Sequence, residues 1–211
     1  MSTGLTPDLG DLDVLALLFA PAVNEPAIGL AVSGGADSLA LMLLAQRWAS
    51  GLEQAPKLIV YSLDHGLRPE ASAEVQMVLR EAEKLGLAAR GLHWTGDKPE
   101  TGLQEAARQA RYRVIGEAMA ADGATLLLTA HHRADQAETV LMRLAHGSGI
   151  EGLKGMRAVS QVEGVRVFRP LLDVEPSSMA LLVAEAGLRP AIDPSNDDRS
   201  YERVRWRQRL P

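Results

Sequence analysis

The stretch Ala27-Ile28-Gly29-Leu30-Ala31-Val32-Ser33-Gly34-Gly35-Ala36-Asp37-Ser38-Leu39-Ala40-Leu41-Met42 passes from one compact apolar run to another through a pair of glycines. Residues 27–33 suit a buried strand, and residues 38–48 an apolar helix. Between them, Gly34 and Gly35 free the backbone to turn its N–H groups toward one point, and the helix adds its positive N-terminal end. The result is a nest for an anion, with the hydroxyls of Ser33 and Ser38 as further donors. Asp37 places a carboxylate among these donors, an arrangement that makes electrostatic sense if a divalent cation bridges it to a phosphate. The plainer alternative is a Gly-rich turn with Asp37 as helix cap. No Gly-Lys-Ser/Thr follows, so this is not a Walker loop.

Outward from this unit the same rhythm repeats. Residues 8–20 read as a short helix closed by Pro21. Residues 57–63 are a second strand, ending at Asp64-His65-Gly66, and residues 69–85 a helix with Gly86 where a C-terminal cap belongs. Residues 87–94 form a third strand, 102–121 a long amphipathic helix, 125–130 a buried strand and 133–145 another helix. Four strand–helix repeats with crossovers of this length predict an α/β fold: a mostly parallel sheet with helices on both faces. Ligands of such sheets bind where strands end and helices begin. After Gly147 the rhythm changes. Residues 159–168 predict a hairpin turned at Glu163-Gly164, residues 176–186 a helix, and Asp193-Pro194-Ser195-Asn196 a turn-rich link to the chain's end.

Composition narrows the function classes. The chain has 211 residues, 46% hydrophobic and 23% charged, the balance of a soluble globule. No apolar run approaches the ~20 residues needed to span a bilayer, and no basic leader precedes the early apolar stretch, so the expected location is cytoplasmic with no membrane partner. There is no cysteine, which removes disulfides, Cys-based metal sites and sulfur-relay chemistry from this chain. The net charge of −5 argues against a general nucleic-acid binder. Five arginines nevertheless fall between Arg199 and Arg209, a local basic end suited to a polyanion or simply to solvent.

Two further polar clusters stand out, and one pattern misleads. His131-His132-Arg133-Ala134-Asp135-Gln136-Ala137-Glu138-Thr139 follows the strand at 125–130, and Asp135 and Glu138 share one face of the next helix. Carboxylates there suit an amine, a Mg²⁺ ion or the helix dipole alone. Neither His-Glu-x-x-His nor a cysteine partner accompanies the histidines, so a catalytic zinc is not expected. Arg108-Gln109-Ala110-Arg111-Tyr112-Arg113 puts Arg108 and Arg111 side by side, as a basic site or a solvated face. Gly147-Ser148-Gly149-Ile150-Glu151-Gly152 matches the dinucleotide fingerprint in letters, but it follows a helix instead of a strand.

Taken together these segments resemble the tRNA(Ile)-lysidine synthase family of the N-type ATP pyrophosphatase (PP-loop) superfamily. The Ser-Gly-Gly-x-Asp-Ser loop is common to the superfamily. The narrower likeness lies in Asp64-His65-Gly66-Leu67-Arg68, in Arg108-x-x-Arg111-Tyr112, and in the run from His131 through Asp135-Gln136-x-Glu138-Thr139 to Gly147-Ser148-Gly149. Arg169-Pro170-Leu171-Leu172 and Asp193-Pro194-Ser195-Asn196 complete it, in order, over roughly residues 27–211.

The resemblance implies a ligase that joins L-lysine to C2 of the wobble cytidine in the minor isoleucine tRNA with a CAU anticodon. ATP adenylates the cytidine O2, releasing pyrophosphate, and the lysine amine then displaces AMP. Carried over, Ser33, Gly34, Gly35, Ala36, Asp37 and Ser38 hold ATP with His65, and Asp37 is the Mg²⁺ ligand. Asp135 and Glu138 meet lysine and cytidine, and Arg111 supports charge in the transition state. Arg203 or Arg205 lines the site or touches tRNA, Arg205 being the one assigned to lysine or cytidine. Glu202 and Trp206 depart from the family's usual Asn and His there. The implied organisation is one PP-loop catalytic domain over 1–211, with a core of about 22–155 and an extension of hairpin, helix and basic end over about 156–211. The chain ends at Pro211, where the family's further C-terminal tRNA-binding domains begin, so a catalytic domain without them is expected. The alternatives are another PP-loop enzyme, of the tRNA-thiolating or amidotransferase type, or a nucleotide-binding sensor without turnover.

Overall fold

The computed structural model describes residues 8–99, 101–147, 149, 152–191 and 202–207. Six strands form one sheet: β1 (Ala27–Ala31), β2 (Lys57–Asp64), β3 (Ala88–His93), β4 (Leu126–Leu128), β5 (Val159–Val162) and β6 (Val165–Phe168). Among the described residues seven α-helices accompany them: α1 (Leu12–Phe19), α2 (Ala36–Ser50), α3 (Ala71–Lys84), α4 (Leu103–Asp122), α5 (Arg133–Ala145), α6 (Pro176–Glu185) and α7 (Glu202–Arg207). The strand order is β3-β2-β1-β4-β6-β5. All neighbours are parallel except the β5–β6 hairpin, whose turn at Glu163 and Gly164 uses positive φ at both residues. The hairpin predicted from the change of rhythm therefore extends the parallel sheet through β6 and closes it with an antiparallel edge.

Alternating side chains divide the core. Ile28, Leu30, Val60, Leu126, Leu128 and Phe168 face α1, α2, α3 and α6, where Phe19 stacks on Trp48 at 5.0 Å. The other face, including Ile59, Tyr61, Leu127 and Val167, packs on Tyr112, Ile115 and Met119 of α4. Burial on both faces explains why the central strands are continuous apolar runs instead of alternating ones. Gly29 is required at the centre: a Cβ there would stand 2.8 Å from the Tyr61 ring.

The strand order reverses between β1 and β4, because the chain builds outward from β1 to β2 and β3 and then returns to β1's other side. Their C-terminal ends open a crevice at that switch point, the place where α/β sheets bind ligands. The Gly-Gly loop leaves β1 and the His-His segment leaves β4, so topology alone sets two of the three polar clusters beside each other.

Candidate active site at the carboxyl edge of the sheet

The loop after β1 is tied by its own serines. Ser38 Oγ accepts from the Ser33 N–H at 3.2 Å, donates to the Gly35 carbonyl at 2.9 Å and lies 3.3 Å from Ser33 Oγ. Gly34 has φ of +93°, a left-handed conformation that favours glycine, and its carbonyl accepts from the Ala191 N–H at 2.9 Å. The residue at the start of α2 is Gly35, which has no side chain to cap with. Asp37 lies inside the first turn, so the reading of Asp37 as the helix cap is corrected. Its side chain, 46% exposed, is directed across the switch point.

There it meets His132. The imidazole Nε2 stands 3.4 Å from Asp37 Oδ2 and 3.6 Å from Asp135 Oδ2. His132 is buried and begins α5 with a reciprocal cap: its Nδ1 accepts from the Asp135 N–H at 3.4 Å, and Asp135 Oδ2 accepts from the His132 N–H at 3.0 Å. With Nδ1 acting as acceptor, the ring's proton belongs on Nε2, facing both carboxylates. Sequence reading weighed this histidine only as a metal ligand. Its position as the residue joining loop to helix was missed, and only its place as helix cap was legible in advance.

The remaining residues of α5 divide by face. Asp135 (8% exposed) and Glu138 (0%) turn inward. Gln136 pairs its amide with both backbone groups of Met156, accepting at 2.6 Å and donating at 2.9 Å, while Arg143 donates to the Gly155 carbonyl at 2.7 Å. Thr139 Oγ1 donates to the Asp135 carbonyl at 2.7 Å. Arg133 is bound to Glu175 and to the Asp173 carbonyl. The carboxylates thus stand on a helix whose other polar groups hold it to the loops around 155 and 173. Asp135 and Glu138 are buried acids on one helix face, and Asp135 shares the His132 ring with Asp37 of the loop.

His65 and Arg111 meet at the end of β2. The Arg111 guanidinium lies 3.4 Å from His65 Nε2 and can only donate, so that nitrogen accepts. The proton then sits on Nδ1, which is buried without a hydrogen-bond partner. Burial first, then Arg111, lowers the His65 pKa to about 4, with Asp64 opposing them, so the ring is neutral at physiological pH. Arg205 on α7 is exposed, and the Arg203 side chain, the other residues around Asp193-Pro194-Ser195-Asn196 and both ends of the basic tail lie outside the described residues. The described part of the Gly147–Gly152 pattern follows helix α5, so it lacks the strand a dinucleotide fingerprint needs. A concavity of about 720 Å³ between α4 and the hairpin turn contains none of the loop or carboxylate residues. No group of three or more metal-ligating side chains occurs among the described residues, and no described helix is long and apolar enough to cross a membrane.

A loop of this geometry at the switch point agrees with the family model described as the PP-loop domain, which matches residues 13–211. The chain belongs to the PP-loop family. Among curated PP-loop relatives it is similar to the tRNA(Ile)-lysidine synthase of Rhodopseudomonas palustris, 53% identical over 92% of this chain and 56% of that protein. The enzymes of the same name from Bradyrhizobium diazoefficiens and Bradyrhizobium sp. BTAi1 are 49% and 46% identical, over 92% and 100% of this chain and 54% and 60% of their own lengths. The chain therefore spans between half and two thirds of these relatives. Solved structures share the fold at low identity. The U34-tRNA thiolase NcsA from Methanococcus maripaludis, with its [4Fe-4S] cluster, superposes at a TM-score of 0.72 with 15% identity, covering 94% of this chain and 77% of that one. The NH3-dependent NAD synthetase from Campylobacter jejuni superposes at 0.57 with 14% identity, covering 96% and 93%.

Proposed function

We propose that this chain is the catalytic part of a tRNA(Ile)-lysidine synthase. On this reading, ATP activates C2 of the wobble cytidine in a CAU-anticodon isoleucine tRNA, and L-lysine is joined there. The observation that carries the reading is the meeting of Asp37 from the ATP loop with Asp135 of α5 at one imidazole, 3.4 Å and 3.6 Å from its Nε2. A loop that only sensed nucleotide would not need a second carboxylate station beside it. The identity to curated lysidine synthases supports the choice of substrates, and the absence of cysteine from the chain disfavours a thiolation mechanism that uses its own thiols.

In the first step the cytidine O2 attacks the α-phosphorus and pyrophosphate leaves. The loop N–H groups and the Ser33 hydroxyl hold the phosphates, and the α2 N-terminus adds its dipole. A Mg²⁺ ion fits Asp37, since this ion takes a carboxylate or two, substrate phosphates and water instead of a full protein cage. When bound it neutralises phosphate charge. His132 keeps the Asp37 carboxylate turned toward the crevice. Arg111, beside neutral His65, brings a positive charge to the same edge without a competing carboxylate among the described residues.

In the second step the ε-amine of lysine attacks C2 and AMP departs with the O2 oxygen. Adenylation is needed because the O2 oxygen alone is a poor leaving group. Asp135 and Glu138 receive the ammonium groups of lysine, and one of them takes the proton that the ε-amine sheds before attack. Arg205 is assigned to the cytidine or RNA side. Labelled lysine supplied with ATP and a minor isoleucine tRNA transcript should enter the RNA, and a transcript with a substituted wobble base should stay unlabelled. ATP turnover without lysine incorporation by the 211-residue chain, or equal labelling of both transcripts, would defeat the proposal.

A further inference from the structure

We propose that Arg108 and Arg169, set about Tyr112 at the C-terminal end of β6, form a subsite for an RNA phosphodiester next to the reacting nucleotide. That the ligand is RNA rests on the function proposed above. The existence of an anion subsite rests on the following geometry.

Arg169 follows β6 and is 5% exposed. Its Nη1 donates to the Arg157 carbonyl at 2.9 Å and to Ser160 Oγ at 2.8 Å, both neutral acceptors, and it lies close to the Tyr112 hydroxyl. Its Nε is buried with no hydrogen-bond partner. Against the same residue, the Arg108 guanidinium stands 5.2 Å from the Tyr112 ring centroid, and Arg108 is exposed. Among the described residues neither arginine has a carboxylate partner. A buried guanidinium bonded only to neutral groups, with a second cation nearby, is costly unless an anion completes it. Burial and the neighbouring Arg108 weaken the hold of Arg169 on its proton, with Tyr112 opposing them.

Strand order identifies the anion. The phosphate loop leaves β1, the carboxylates follow β4, and Arg169 follows β6. Neighbouring strands lie about 4.8 Å apart, so Arg169 is roughly 10 Å along the sheet edge from the ATP loop, with the carboxylates between. Arg169 also shares the face of α4, opposite α2. ATP phosphates held after β1 are on the wrong side of the carboxylates to serve it. A nucleotide presented to the carboxylates has a flanking phosphate within reach, and paired guanidinium groups suit its oxygens.

The test uses the 211-residue chain and an anticodon stem-loop of the minor isoleucine tRNA, with RNA affinity followed by fluorescence anisotropy across a salt series. Arg108→Gln and, separately, Arg169→Gln should weaken RNA binding roughly tenfold, the loss of a charge-assisted contact. Each should also make the salt slope less negative by about 0.7, the value for one phosphate contact on a single strand. ATP affinity should stay within about twofold of the parent, a loss of under about 0.4 kcal/mol. Unchanged RNA affinity, weaker binding with an unchanged salt slope, or an equal loss of ATP affinity would each overturn the subsite. If Arg169→Gln melts early, the exposed Arg108→Gln decides the matter alone. Lysine incorporation by the parent chain is measured in parallel. Its failure would remove the enzymatic reading and leave the RNA salt slopes to judge the subsite.

Discussion

Asp135→Asn separates two duties of one buried carboxylate. Asp135 accepts the His132 N–H at 3.0 Å to cap α5, and the amide oxygen of asparagine can still accept it. The charge beside the helix N-terminus and the His132 ring is lost; its helix-dipole share is about 0.3–1 kcal/mol, which for a chain of this size lowers the melting temperature by about 2 °C. The loss to catalysis is larger. A carboxylate that is 8% exposed and receives an ammonium group makes a charge-assisted hydrogen bond worth about 1.5–3 kcal/mol, a factor of roughly 10–150. That factor should fall on lysine transfer, as a higher lysine KM or a slower second step. Adenylation of the RNA, which depends on the loop and Asp37, should remain within about threefold of the parent. Single-turnover reactions with ATP labelled at the α-phosphate, run with and without lysine, separate the steps. Transfer at the parental rate would reduce Asp135 to a helix cap and refute the assignment. Equal loss of adenylation would place the carboxylate with the cytidine instead of the lysine.

Chromatography of the spent nucleotide should find AMP and pyrophosphate, because the loop lacks the Walker lysine that grips the outer phosphates; ADP as the main product would contradict the reaction. His65 provides a pH signature in stability. The unfolded chain binds its proton near the ordinary value of 6.5 and the folded chain only near about 4, so the folded state loses ground as pH falls through that window. His65→Gln lacks this penalty, and its urea midpoint should gain on the parent's between about pH 7 and pH 4.5; parallel profiles would refute the neutral, buried ring. Gly155 has φ of +69°, and a Cβ there would come 2.6 Å from Gln136 Oε1. Gly155→Ala should therefore cost about 2 kcal/mol through backbone strain and a broken Gln136–Met156 pair. A thermal melt should show about 4–8 °C lost, and no shift would mean that the clamp on α5 is immaterial.

Much of the chain is legible residue by residue because its signals are local. Apolar runs of strand length, the Gly34-Gly35 turn and the Glu163-Gly164 hairpin each depend on neighbours in sequence, and their elements fall within a few residues of the expected bounds. The Gly34-Gly35 loop before α2 and the Asp135–Glu138 face are equally local: one needs backbone freedom before a helix, the other a spacing of three on a helix. Periodicity does not encode which strand lies beside which. That β4 returns to the free side of β1, and that the hairpin joins the sheet through β6, are settled by burial of both sheet faces over long separations. Those pairings bring Asp37 to His132, nearly a hundred residues away, and bring Arg169 to Tyr112. They also divide the letters of α5 into inward carboxylates and outward clamps, because the surroundings of a helix choose which face is buried. The sequence alone thus determined the elements and the kinds of chemistry available. Only the tertiary structure decided which groups share one point, since that depends on contacts between segments whose separation along the chain carries no local signal.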